Sequence, residues 1–124
     1  LETADIVTLH VPLNKSTYHM ISDPEFTIMK PTALLINASR GPVVDEKALA
    51  RAISEQQIAG AALDVTEEEP TSPDNPLFQF ENVLITPHLA ANTVESGERS
   101  RGFAVANATR VASGEEPESV VIPD

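Results

Sequence analysis

Three kinds of side chain in this sequence have the chemistry to act together on one small anion. Arg40 stands directly before Gly41 and Pro42 in LLINASRGPVVDE, and its planar guanidinium can hold a carboxylate through two parallel hydrogen bonds. His88 follows Pro87 in NVLITPHLAANT, and an imidazole moves protons close to neutral pH. Asp64 and the run Glu67, Glu68, Glu69 supply carboxylates, which orient an imidazole and favour its charged form. Taken singly, each has a plainer account. The arginine is a surface cation, the acidic run is a solvated loop, Asp64 caps or braces that loop, and a histidine after proline is satisfied structurally.

Position lifts them above those accounts. Each follows a short apolar run of strand type, and in open parallel sheets ligands bind outside the carboxyl ends of the strands. The first run ends at His10-Val11-Pro12, the second at Ser39-Arg40-Gly41, the third at Asp64 and the acidic run, the fourth at Pro87-His88. Gly41 is expected to let the chain turn close beside Arg40. The combination points to acid/base chemistry on an anionic substrate. His10 lies so near the buried part of its strand that a structural role is expected for it, and His19 is expected on the surface.

Other chemistries fall away. Cysteine is absent, which removes disulfides, thiolate metal sites and cysteine nucleophiles. The three histidines lack metal-site spacing, so no metal is expected, and no serine sits in a nucleophile elbow. With 19 acidic and 8 basic side chains the net charge is -11, which argues against a nucleic-acid partner. No apolar run approaches the ~18 residues of a membrane span. The first residues, LETADIVTLHV, carry no leader and read as the middle of a domain, so a fragment of a longer chain is expected.

The elements that must position these residues alternate in type. Strands are expected over residues 5–11, 33–38, 58–65 and 82–86, rich in Val, Ile, Leu and Ala. A short helix over 24–29 is framed by the Ser22/Glu25 capping pattern and stopped by Pro31. Asp45 caps a second helix to about Glu55, with Ala48, Leu49, Ala52 and Ile53 on one face. The small residues Gly60, Ala61 and Ala62 suit a helix crossing close over the sheet. Residues 66–81 make a Pro-rich, acidic connection. The Asn92/Glu95 pattern opens a long helix with Ala104, Ala108, Val111 and Ala112 at helical spacing, ended by Gly114. The tail, with its apolar cluster Val120 to Ile122, is expected to leave the domain and dock elsewhere. Alternating strands and helices predict an α/β fold with a parallel sheet.

HVPLNKST, FTIMKPTALLINASRGPVVDEKAL, IAGAALDV, EEEP and NVLITPHLAANT, in this order, resemble the D-isomer-specific 2-hydroxyacid dehydrogenases, the family of D-3-phosphoglycerate, glyoxylate/hydroxypyruvate and D-lactate dehydrogenases. Several linked motifs at fitting spacings are far more specific than one short pattern. The resemblance implies that Arg40 binds substrate, that Glu69 is the catalytic glutamate and that His88 transfers the proton. It also implies that Val11, Ala38, Ser39, Arg40, Asp64, His88, Leu89, Ala90 and Ala91 line the nicotinamide half of an NAD or NADP site, with NAD favoured.

The expected fold is then Rossmann-like and incomplete, a parallel sheet with flanking helices that forms the second mononucleotide half. Residues 1–112 would be that half, and 113–124 a tail returning toward a substrate domain. None of the five glycines forms GxGxxG, so the pyrophosphate cradle is expected outside this chain, and the isolated chain is expected to bind NAD weakly or not at all. The family implies a cytoplasmic homodimer acting on a small 2-hydroxy or 2-keto acid. Formate dehydrogenases are similar but carry glutamine where Glu69 stands. A non-enzymatic, NAD-responsive binding module of corepressor type stays open beside the oxidoreductase reading.

Overall fold

Four short apolar runs, each stopped by a proline or a polar turn, become four parallel strands in one sheet. The computed structural model describes residues 1–121. Strands β1 (Ile6–Leu9), β2 (Leu34–Asn37), β3 (Gly60–Leu63) and β4 (Val83–Ile85) lie side by side in chain order. Helix α1 (Asp23–Ile28) joins the first pair and α2 (Glu46–Ser54) the second. The last connection is irregular apart from one 3-10 turn, Pro76–Gln79. Every strand is shorter than its apolar run, because the residues at both ends turn away to build loops.

The register is level. Leu9, Asn37, Leu63 and Ile85 form one row across all four strands, so the chain leaves each strand at the same height. Whatever follows that row lies on a common rim.

One face of the sheet carries the core. Leu9, Leu35, Ala61 and Leu63 are buried there with Phe26 of α1 and Ala48, Leu49, Ala52 and Ile53 of α2. Each large apolar side chain removed from water is worth about 1.5–3 kcal/mol. The Arg51 guanidinium forks onto Asp23 at 3.1 and 2.6 Å and ties α2 to α1. On the opposite face Ile6, Leu34 and Leu84 are exposed, the last at 62%. The small residue Gly60 has a different cause from the one its sequence suggests. Among the described residues the nearest atoms to it are not from a helix; a Cβ there would come 2.5 Å from the carbonyl oxygen of Asn82, just before β4.

The chain divides into two units, Leu1–Leu89 and Ala90–Asp124. The second consists of α3 (Val94–Ala112) and the segment after it. Its cap is Thr93, whose hydroxyl accepts the Ser96 N–H, and not Asn92. Both are capping types, and an acid three residues on does not choose between adjacent candidates. At the other end Gly114 takes φ 75, and the N–H groups of Gly114 and Glu115 return to the carbonyls of Val111 and Arg110, a Schellman closure. No residue of α3 is buried, the small-residue stripe at Ala104, Ala108, Val111 and Ala112 included. Asn107 and Arg110 hold the backbone of Glu118 and Glu116. Val120 and Val121 are exposed, and Ile122 lies outside the described residues. Among the described residues no helix is long and apolar enough to cross a membrane.

Candidate active site

Arg40 is delivered to the rim by β2 through a turn that is built from within. Asn37, fully buried at the last position of the strand, accepts the Ser39 N–H and hydroxyl at 3.1 and 2.8 Å and donates to the Arg40 carbonyl at 2.9 Å. Arg40 is exposed and its guanidinium donates to the Ser39 carbonyl at 2.6 Å. Gly41 then packs against the backbone of Thr66, in the space a Cβ would need. Its value is close approach by the acidic loop, where the sequence suggested freedom to turn beside Arg40. A hollow of about 550 Å³ beside this turn is lined by His10, Val11, Pro12, Leu13 and Ala38 together with Ser39 and Arg40.

His88 and Glu69 meet on the same rim. His88 Nδ1 lies 2.9 Å from Glu69 Oε2, with both side chains about half exposed. The histidine stands at φ 54, a region that costs a non-glycine residue about 1–3 kcal/mol unless its surroundings enforce it. Asp64 enforces it. The Asp64 carbonyl accepts the His88 N–H at 2.8 Å, and Oδ1 accepts the Thr86 hydroxyl at 2.6 Å and the Leu89 N–H at 2.8 Å. Asp64 is therefore a brace for the turn that presents His88. Glu69 is anchored in turn by the Thr66 N–H, 3.3 Å from Oε1. A cavity of about 640 Å³ opens here, walled by Glu69, Pro70, Phe78, Ile85 and His88.

The candidates from the sequence thus fall into two neighbourhoods of the first unit. Val11, Ala38, Ser39 and Arg40 line the hollow after β1 and β2, while Asp64, Glu69 and His88 line the cavity after β3 and β4. Leu89 is half exposed at the end of that unit, and Ala90 and Ala91 open the second. Of the acidic run, Glu69 alone meets His88, while Glu67 bonds to the start of α2. His10 is exposed at the rim, its Nε2 2.9 Å from the Thr8 hydroxyl. His19 is not a plain surface residue, since its Nε2 is buried and its ring lies between Asp45, at the cap of α2, and Glu67, in the acidic loop.

Two residues that shape the rim were not singled out for a role by reading the sequence. Asn37 carries a signal, a lone amide closing an apolar strand just before the Ser39-Arg40-Gly41 turn. His19 carries none, because its partners are 26 and 48 residues away (45 minus 19 and 67 minus 19).

Near His19, Asp45 caps α2. Burial pushes its carboxyl up, but the Ala48 N–H, the Ser22 hydroxyl, charge on His19 and the Lys47 N–H together hold it below the ordinary 3.8.

The model of the D-isomer specific 2-hydroxyacid dehydrogenase NAD binding domain matches residues 1–90. A glyoxylate reductase from Thermofilum pendens is 50% identical over 121 residues, covering 98% of this chain and 36% of that protein. A D-lactate dehydrogenase with NAD+ from Lactobacillus jensenii superposes with a TM-score of 0.87 at 36% identity, covering 99% of this chain and 41% of the other. A D-isomer specific 2-hydroxyacid dehydrogenase from Xanthobacter autotrophicus, in complex with NADPH and MES, gives the same TM-score and identity, with 99% and 50% covered. The chain therefore spans little more than a third of the glyoxylate reductase, and its sheet is the Rossmann-like sheet of such proteins. By both sequence and fold, this chain belongs to the D-isomer-specific 2-hydroxyacid dehydrogenases and forms part of their NAD-binding domain.

Proposed function

We propose that these residues serve an enzyme that passes hydride between a nicotinamide cofactor and a small D-2-hydroxy acid or its 2-keto counterpart. The observation that carries the reading is the 2.9 Å His88–Glu69 pair, held on the rim to which β2 delivers Arg40. The glyoxylate reductase relative puts glyoxylate first among the substrates to try. The names of the relatives favour turnover over a corepressor-like binding module.

The hollow beside Arg40 fits a nicotinamide. Val11, Pro12, Leu13 and Ala38 give an apolar wall for a flat ring, and Ser39 and Arg40 give a polar edge for its amide. When bound, the cofactor supplies or accepts the hydride. The chain's own residues do the rest. Arg40 binds the substrate carboxylate through its guanidinium. Glu69 accepts from Nδ1 of His88 and fixes the ring, so that Nε2 meets the substrate oxygen, gives it a proton during reduction and takes it back during oxidation. NAD and NADP both suit the reading, as the relatives with NAD+ and NADPH indicate. A homodimer is part of the proposal, to be checked by light scattering.

The test is oxidation of NADH and NADPH by the full-length protein with glyoxylate, hydroxypyruvate, pyruvate and phosphohydroxypyruvate, beside its Arg40→Ala variant. Turnover that collapses with Arg40→Ala is expected. A full-length protein that binds NADH and turns over none of the acids would overturn the reading in favour of a binding module.

A further inference from the structure

His19 is the one histidine of the three that touches both functional loops without a part in the proton transfer. It stands at φ 49, with its N–H donating to the Pro42 carbonyl at 2.8 Å. Its ring is wedged between carboxylates of two different elements. Nε2 lies 3.3 Å from Glu67 Oε1, and Nδ1 lies 3.8 Å from Asp45 Oδ2. Tyr18 stacks on the ring with centroids 4.0 Å apart. Nε2 is buried and has no hydrogen-bond partner, so it is near Glu67 without being aligned to donate to it.

The surrounding acids are fixed by other bonds. Asp45 Oδ1 accepts the Ala48 N–H at the start of α2, and Oδ2 accepts the Ser22 hydroxyl. Glu67 Oε1 accepts the Glu46 N–H, while Glu46 accepts the Glu67 N–H and the Asn75 amide. Asp45, Glu46 and Glu67 thus converge, and among the described residues no lysine or arginine is ion-paired with them. An imidazolium between them is attracted from both sides. A neutral ring brings no charge to the acids, so that attraction is absent.

We propose that His19 is a positioning residue: its imidazolium ties the loop that carries Glu69 to the turn that carries Arg40. The lever arms are short, since Glu67 lies two residues before Glu69 and Pro42 two residues after Arg40. The tie is made when the ring is protonated and is released as pH rises and the proton leaves. The proposal rests on the roles given above to Arg40, Glu69 and His88, but its test does not depend on turnover.

Amide hydrogen exchange of the full-length protein, without substrate, is followed from about pH 5.5 to 8.5 and corrected for intrinsic rates. Protection of residues 66–71 is expected to fall roughly two- to fivefold across that range, the span of a partly exposed ion pair. His88 faces Glu69 from beyond the end of β4, so a His88→Asn variant is run beside the others and is expected to keep the part due to His19. His19→Asn removes the charge with a residue that tolerates positive φ, and is expected to lose that part. Glu67→Gln removes it from the other side and decides the matter should His19→Asn fail to fold. Unchanged protection of β2 and β3 reports an intact fold. A flat wild-type profile, or the full wild-type slope in either His19→Asn or Glu67→Gln, would overturn the proposal. Turnover of glyoxylate by the same samples reports separately on the reading of the site.

Discussion

Gly41 and Thr66 meet backbone to backbone, with the Thr66 carbonyl occupying the place of a Cβ on Gly41. The turn that presents Arg40 and the loop that presents Glu69 are thereby in direct contact. Gly41→Ala must force them apart. Overpacking of this kind costs about 1–3 kcal/mol, and the loss should appear as a lower urea midpoint with an unchanged slope. A variant as stable as the parent would mean that the loop yields at no cost.

The His88–Glu69 pair predicts a graded loss of turnover in the full-length enzyme. His88→Ala should lower kcat by about 10²–10⁴, the usual contribution of a positioned acid/base group. Glu69→Gln keeps a hydrogen-bonding group at Nδ1 and removes the charge, so its loss should be smaller. Equal activity of His88→Ala and the parent would remove His88 from the chemistry.

Asn37 makes a different prediction, because it holds the Arg40 turn and not the proton. Asn37→Ala leaves the Ser39 N–H and hydroxyl without their partner and leaves the Arg40 carbonyl with the Val43 N–H alone, at about 1–3 kcal/mol if the Ser39 groups stay dry. The substrate KM should rise by a larger factor than kcat falls. Steady-state kinetics alongside urea unfolding would separate the two effects.

Asp45 sets an acid limb in the stability. Its carboxyl titrates below the ordinary 3.8 in the folded chain, so its charge contributes stability above that value, and the contribution is lost as pH falls through the lower folded value. Asp45→Asn keeps a good cap and removes the charge. Its unfolding midpoint should lie below the parent's near pH 6 and converge with it at lower pH. Asp45→Ala also loses the cap, at about 1 kcal/mol more. Parallel pH profiles for parent and Asp45→Asn would contradict this.

The four strands, α1 and α2 were legible because local patterns mark them: apolar runs stopped by proline, Asp45 before the helix, and a buried face at Ala48, Leu49, Ala52 and Ile53. Arg40 and His88 were legible by their places after strands. What stayed hidden was set by the third dimension. Gly60 answers to Asn82, just before the neighbouring strand, and His19 answers to acids far along the chain. The stripe on α3 reads as a packing face, yet none of its residues is buried. The shift of the α3 cap from Asn92 to Thr93 shows the finer limit, where two adjacent residues offer the same chemistry.

The level row of Leu9, Asn37, Leu63 and Ile85 turns the rim into a matter of counting. Arg40 is three residues past its member of the row, Asp64 one, and His88 three. Removing one residue between Asn37 and Arg40 would draw the guanidinium back by up to ~3.3 Å and, in extended chain, swing it to the opposite side. The stretch 71–74 carries no such count, because it lies beyond Glu69 and before the 3-10 turn at Pro76. A library of single-residue deletions and insertions should therefore survive selection at 71–74 and die out at 38–40 and 86–88, whatever amino acids are used.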